Sequence, residues 1–371
     1  MNIVHITTVH QRFDSRIFYK QCLSLKEHSY RVTLIVADGK GNQTVNGVDI
    51  IDIGAYTNRA KRLIVASRKA VQTALKLNAD LYHFHDPDLL VQARKLCKHA
   101  KVVFDSHEDF PKLMLQRDYI PNVLRKVLFR TATHIERTTY KKLAGVVTAT
   151  DNIAQKFLSY GANDVIAVKN YPVINTDNCV KKEKDNGLPF TACYVGGLTQ
   201  VRGVEQMIKS CHKAGVHLIL AGPFDDENFY RQMQSLPEWE CVEYLGVVPH
   251  DELVQRVYAK ADIGLNMLLA APNHTDAVPI KQLEYMSQAL PVIATKHIKF
   301  CTEVTEKEHC GILVTPEDIQ QCAEAITYMK NHEEERIEMG VNGRRAVQQT
   351  YNWNTEKDKL IKFYERLLNN Q

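Results

Sequence analysis

No stretch of this chain approaches the roughly 18 consecutive apolar residues that a membrane-spanning helix needs. The apolar opening, residues 2–9, is short and uncharged, so it does not read as a signal peptide and the expected location is the cytoplasm. Cysteine is present but unpatterned: nine residues, an odd number, with no CxxC pair, which suits reduced thiols and assigns them no chemistry. The loop after the first apolar run lacks G-x-G-x-x-G, which argues against a nicotinamide dehydrogenase. H-E-x-x-H and other dense metal-ligand spacings are missing as well, as are repeats of solenoid period and low-complexity tracts.

Charge is unevenly spread. Residues 1–170 hold 26 Lys and Arg against 15 Asp and Glu, leaving 21 against 28 for the remainder of the 371 residues. A basic first half suggests an anionic partner, either nucleic acid or a membrane surface. The cations gather in two helical stretches. One carries Arg59, Lys61, Arg62, Arg68 and Lys69. The other carries Arg117, Arg125, Lys126, Arg130, Arg137, Lys141 and Lys142, interleaved with Leu124, Val127, Leu128 and Phe129. The second reads as an amphipathic interfacial helix, although a solvated helix face has the same composition.

Apolar, β-branched runs alternate with helical patterns along the whole chain, the signature of parallel sheets wrapped by helices. At about 150 residues per domain, two domains are expected. The first strand series lies near residues 3–7, 32–37, 48–53, 79–84, 102–105, 145–149 and 165–168. The second lies near 190–195, 216–221, 242–245, 263–265, 292–294 and 311–314. The expected organisation is a domain over 1–172, a linker over 173–188, a second domain over 189–352, and a C-terminal helix over 353–371 that crosses back to the first domain. Ligand sites in such folds lie at the carboxyl ends of the strands.

The segment 276–295, DAVPIKQLEYMSQALPVIAT, reads as loop, short helix and buried strand. Pro279 suits an early helical position, while Ile280, Leu283 and Met286 recur at core-facing spacing, leaving Lys281 and Glu284 on another face. Free N–H groups near 277–280, beside Lys281, form a place for a diphosphate, and Glu284 can accept bonds from both hydroxyls of a ribose. Gly196-Gly197-Leu198 follows a strand and precedes a helix, with Arg202 as a charged fork; a plain strand-to-helix turn would look the same. At another strand end Asp105, His107, Glu108 and Asp109 crowd together, with His107 able to donate to a sugar hydroxyl and Glu108 or Asp109 able to act as base or cap. The run His83-Phe84-His85-Asp86 admits a rival reading, a zinc or manganese hydrolase site with His107; Asp86 and Asp88 can equally cap a helix. In the first loop Arg12 and Arg16 can receive an anionic acceptor, and Asp14 or Ser15 can start the next helix.

Taken together, FDSRIFYKQCLSL, HFHDPDLL, FDSHEDFP, YVGGLTQVRG, YLGVVPHDELVQRVYAKADIGL and PIKQLEYMSQALPVIAT resemble a retaining glycosyltransferase of family 4, over nearly the whole chain. The resemblance implies a GT-B fold, two Rossmann-like doubly wound domains facing each other across a cleft. It also implies transfer of a hexosyl or N-acetylhexosaminyl group from a nucleotide-diphosphate sugar, with the anomeric configuration kept and with neither metal nor cofactor required. The acceptor implied is a saccharide or lipid-linked saccharide in bacterial surface-polysaccharide synthesis, with peripheral contact at the inner membrane face and no nucleic acid. Glu284 matches the second acid of the family's paired acids, implied to hold the ribose. Asp276 stands where the first acid, at the donor sugar, is usually Glu. Gly197 replaces the family's Arg and Arg202 its Lys, so Arg202 and Lys281 are expected at the diphosphate, with Gly196, Gly197, Pro279 and Ile280 lining the donor. His107 matches the histidine at the donor sugar. The catalytic group expected is therefore His107, Arg202, Lys281 and Asp276, and the acceptor group Arg12, Asp14, Arg16 and Glu108. A non-catalytic nucleotide-sugar-binding scaffold remains the alternative of a different class.

Overall fold

A computed structural model describes residues 1–115, 121–162, 164–173, 189–271 and 277–369. The chain divides into two units, the first made of residues 1–170 together with the C-terminal helix Trp353–Asn369, the second of residues 171–352. Most of the expected linker, residues 174–188, lies outside the described residues, as do Arg117 and Asp276.

In the first unit an eight-stranded sheet runs β3-β4-β2-β1-β5-β6-β7-β8. Its strands are β1 (Asn2–Ile6), β2 (Arg31–Val36), β3 (Gln43–Val45), β4 (Val48–Asp52), β5 (Leu81–Phe84), β6 (Lys101–Ser106), β7 (Gly145–Thr148) and β8 (Val165–Ala167). All neighbours are parallel except β3 and β4. β3 is absent from the strands read from sequence. It closes a two-residue hairpin at Asn46-Gly47, both with positive φ, which matches the right-handed twist of the flanking strands. Strands in the middle of the sheet are buried on both faces, which is why they read as continuous Val, Ile and Leu rather than as alternation.

The helix Trp353–Asn369 completes this core. Trp353, Leu360, Phe363 and Tyr364 are buried beside Ile3, Leu81 and Val147. Trp353 Nε1 donates to Ser24 Oγ at 2.8 Å, and Gly145 leaves the space that the Phe363 ring fills.

In the second unit a six-stranded parallel sheet runs β11-β10-β9-β12-β13-β14. The strands are β9 (Thr191–Val195), β10 (His217–Ala221), β11 (Val242–Tyr244), β12 (Ile263–Asn266), β13 (Val292–Thr295) and β14 (Gly311–Val314). Counted from β9, that is the order 3-2-1-4-5-6 of the doubly wound fold. The seven parallel strands of the first unit begin in the same order. Each sheet therefore has one point where the winding reverses, between β1 and β5 and between β9 and β12. Crevices form there because the loops leave in opposite directions.

Candidate functional site

The second unit gathers its candidate residues where β9 and β12 part. Gly196 follows β9 with φ 150 and its N–H donates to Ala221 O at 2.9 Å, while an added Cβ at Gly197 would meet open space. Backbone can therefore be approached closely at Gly197. The next turn, Gln200–Arg202, is pinned to the end of β12. Leu269 N–H donates to Val201 O at 3.0 Å, and Gly203, with φ 75, lies so close to Met267 that an added Cβ would stand 2.0 Å from its carbonyl oxygen. Arg202 is exposed at this pinned turn and interacts with the buried Tyr194 hydroxyl.

The helix Ile280–Ser287 buries Gln282, Leu283, Tyr285 and Met286. It begins at Ile280, and Pro279 is the capping residue rather than the first helical one, because its ψ of 101 is extended. Ile280 is half-buried rather than a core residue. Tyr285 fixes the helix to the glycine loop: its hydroxyl accepts from Val195 N–H at 3.0 Å, and its ring occupies the space that Gly264 leaves. Lys281 and Glu284 share the outer face, with Lys281 Nζ donating to Glu284 Oε2 at 2.7 Å. Tyr258 donates to the same oxygen at 3.1 Å. Burial, then the adjacent Glu284 charge, pushes the Tyr258 hydroxyl far up, so it stays a donor. Sequence reasoning missed Tyr258. The signal was an aromatic in AKADIGL's preceding helix, 26 residues away, whose partner only the fold reveals.

The first unit gathers imidazoles where β1 and β5 part. His5 and His83 are registered across the two strands, and both are fully buried with His85. His5 Nδ1 lies 2.9 Å from His85 Nε2, and His83 Nδ1 is hydrogen-bonded with the Tyr364 hydroxyl. His5 Nε2 and His83 Nε2 have no partner among the described residues. Burial holds all three imidazoles neutral, His5 and His83 well below the usual range and His85 down to about 3. His107 is partly exposed, its Nε2 3.3 Å from His85 Nδ1 and 3.4 Å from Asp105 Oδ2. Burial alone would raise the Asp105 carboxyl, but Arg16 and His107 hold it well below the carboxylate range. His10 stacks at a tilt on His107 with ring centres 4.7 Å apart; burial would lower it, yet Asp14 and Asp86 raise it overall.

The expected acceptor group changes here. Arg12 is buried and its Nε and Nη2 each reach Asp38 at 2.6 Å. Arg16 is buried too, clamping Asp105 at 3.0 and 2.9 Å and donating to Val168 O at 2.6 Å. Asp14 Oδ1 accepts from the N–H groups of Arg16 and Ile17. Arg12 and Arg16 are thus paired within the loop, as a buried charge must be, and the partly exposed Asp14 also pairs with His10 Nδ1 at 3.2 Å, so the three hold the loop together. Glu108 alone of that group is exposed. Asp86 does not cap a helix by its side chain; it gathers the N–H groups of Thr8 and Val9 and so folds the first loop. The trio His83, His85 and His107 does not converge. Instead His5, His83 and His85 form one set of potential metal ligands, and His85, Asp105 and His107 another.

Residues 15–170 match Glycosyltransferase Family 4 and residues 176–346 match Glycosyl transferases group 1. The chain belongs to the family 4 glycosyltransferases. Among curated proteins it is 23% identical to the capsular polysaccharide biosynthesis glycosyltransferase CapM of Staphylococcus aureus, over 59% of this chain and 58% of that protein. It is 27% identical to the amylovoran biosynthesis glycosyltransferase AmsK of Erwinia amylovora, over 34% of this chain and 31% of that protein. The chain thus spans less than two thirds of the length of either relative. Among solved structures, a glycosyltransferase from Rickettsia africae ESF-5 superposes with a TM-score of 0.75 at 15% identity, covering 100% of this chain and 99% of that one. Anabaena Alr3699/HepE in complex with UDP-glucose gives 0.72 at 16%, covering 99% and 100%. Sucrose-phosphate synthase from Thermosynechococcus elongatus gives 0.74 at 17%, covering 100% of both chains. At these identities the likeness shows the fold, and the fold is GT-B.

Proposed function

We propose that this chain is a retaining glycosyltransferase that moves a hexosyl or N-acetylhexosaminyl group from a nucleotide-diphosphate sugar to a saccharide or lipid-linked saccharide, in cell-surface polysaccharide synthesis. The observation that carries the reading is Glu284, a half-buried carboxylate that Tyr258 and Lys281 hold on the outer face of a helix starting beside the β9–β12 switch point. A ribose takes a carboxylate so presented, and the glycine loop with Arg202 offers cationic and N–H contacts for the diphosphate. Lys281, now on Glu284, lies at the first turn of that helix, where nucleotide entry would turn its charge toward the phosphates.

In this reading Arg202, Lys281 and backbone N–H groups stabilise the departing diphosphate, the electrostatic contribution a charged leaving group most needs. The acceptor hydroxyl attacks from the face the phosphate leaves, and the phosphate takes its proton. No protein nucleophile and no metal is used. The resemblance assigns His107 to the donor sugar, and Asp105 and His85 fix the ring orientation it would need. Asp276, the remaining expected catalytic residue, lies outside the described residues. The cytoplasmic location and peripheral contact with an anionic membrane belong to the same proposal. Among the described residues no helix is long and apolar enough to cross a membrane.

The test is a panel of uridine, guanosine and other nucleotide sugars, read by nucleoside diphosphate release with and without EDTA. Release with at least one donor, undiminished by EDTA, supports the reading, whereas no release with any donor favours the scaffold. The two imidazole sets favour a metal-dependent hydrolase as the second reading. Activity lost in EDTA and restored by zinc or manganese, with the metal found by elemental analysis, would favour it.

A further inference from the structure

The first unit carries an apolar pocket that the transferase reading does not use. It has a volume of about 600 Å³ and lies among four segments: residues 63–68, 87–92, 110–114 and the helix Asn122–Tyr140. Its walls are aliphatic, chiefly Leu63, Ile64, Leu90, Val91, Leu128 and Ile135. From the long helix, Leu128, Thr131, Ala132 and Ile135 face it, the 3- and 4-residue spacing of a single helix face. Leu124 extends that face by one turn.

Apolar side chains on the same segments are exposed. Leu63, Ile64 and Val65 are each about half exposed, as are Val91, Leu124 and Val127, and Val123 is 79% exposed. Seven of the 18 exposed large hydrophobic residues in the described chain therefore sit on segments around one pocket. Scattered apolar residues need no explanation, but a contiguous patch rimmed by charge marks an interaction site.

The rim is basic. Residues 59–76 contain six Lys and Arg and no acid, and residues 121–142 contain six with Glu136 as the one acid. Glu136 is buried and bound by Lys156 at 2.8 Å, and Asp88, the one acid lining the pocket, is paired with Arg62 at 3.2 Å. Arg68 lines the pocket and is exposed, its side chain with no ion pair or hydrogen bond among the described residues.

We infer that this pocket takes a hydrocarbon chain of an anionic lipid, with the phosphate held outside by Arg68. The charge decides for an anionic ligand, and the walls decide for an aliphatic one: Phe110 is the single aromatic, and neither Tyr nor Trp is present, the residues that dominate protein docking sites. Basic residues beside a Leu and Val face are the pattern of a helix that lies in a lipid interface. The inference gives the anionic-membrane contact proposed above a specific seat. It does not depend on glycosyl transfer.

The test uses the full chain, with Ile64→Asp and Arg68→Ala as variants and Val341→Asp, on the other unit, as control. Dodecyl phosphate, below its micelle-forming concentration, should bind by calorimetry while inorganic phosphate does not. Ile64→Asp should weaken it at least tenfold, Arg68→Ala severalfold, and Val341→Asp not at all. Sedimentation with vesicles of three parts phosphatidylcholine to one part phosphatidylglycerol should follow the same order. Ile64 is half exposed, so an unchanged melting temperature will show that its variant folds. Vesicle binding that survives Ile64→Asp, with dodecyl phosphate binding unchanged, overturns the pocket but keeps the membrane contact. Failure of the wild type to bind either probe overturns both and leaves the face to an acidic protein partner. Nucleoside diphosphate release from a soluble donor should be equal in all four proteins, so a failed transferase reading is told apart from a failed pocket.

Discussion

Acidification should destabilise the first unit well before it reaches the pH at which carboxylates are neutralised. His5, His83 and His85 are fully buried, and burial depresses all three below the unfolded value of 6.5. A depressed imidazole stabilises the fold fully above pH 6.5 and loses that contribution as pH falls toward its folded pKa, about 3 for His85. At about pH 5.5 each unfolded imidazole binds a proton that the folded one refuses, a difference of about 1.4 kcal/mol, so three give about 4 kcal/mol. Against a typical total of about 5–15 kcal/mol this is a large fraction, and it corresponds to a fall of about 10 °C in melting temperature. His10 opposes it in part. Burial lowers His10, but Asp14 and Asp86 raise it overall, so it adds stability below pH 6.5 and loses it as pH rises through its folded pKa. The assay is scanning calorimetry from pH 8 to 5.5, with amide exchange at β5 and β1 to locate the change. Equal protection of the β5 amides at both pH values, after correction for intrinsic exchange, would refute the claim that these imidazoles stay neutral.

Glu284→Ala and Arg202→Ala should each lower turnover about 100-fold or more, as losing a preorganised contact does; near-wild-type release in both variants would sink the site assignment. Tyr258→Phe removes one donor from Glu284, worth about 1–3 kcal/mol, and should weaken nucleoside diphosphate binding about tenfold by calorimetry. No change with any nucleotide would separate Glu284 from the ribose. Gly203→Ala places a Cβ 2.0 Å from Met267 O at a φ of 75 and should cost about 2 kcal/mol or more of stability in urea unfolding. Lys156→Ala strands the buried Glu136 and should cost about 3–5 kcal/mol, most of it regained by Lys156→Ala/Glu136→Leu; if the double variant is no more stable than the single one, the pair is not the cause.

Strand positions were legible because a buried parallel strand writes its environment into consecutive Val, Ile and Leu. The one missed strand, β3, had its signal in Asn46-Gly47, a two-residue turn whose flanks are too short and polar to read as a strand alone. The glycine loop, Arg202, Lys281 and Glu284 were also legible, since a strand end followed by a helix start is a local pattern. The roles of Arg12, Asp14 and Arg16 were not. Arg12 and Arg16 in a first loop look available for an anionic ligand until Asp38 and Asp105, 26 and 89 residues on, are seen to take them, while Asp14 is taken by the N–H groups of Arg16 and Ile17.

By itself, then, the sequence determined the alternation of strands and helices and the helix Ile280–Ser287 with its outward Lys281 and Glu284. All of these depend on spacing within a few residues. The tertiary structure alone decided which charges are spent, which imidazoles share a neutral core, that Tyr258 supports Glu284, and that four separated segments wall an apolar pocket. Each of those follows from strand order and register, which bring together residues 26 to 281 positions apart, and hydrophobic periodicity reports the face a residue takes without its partner across the sheet.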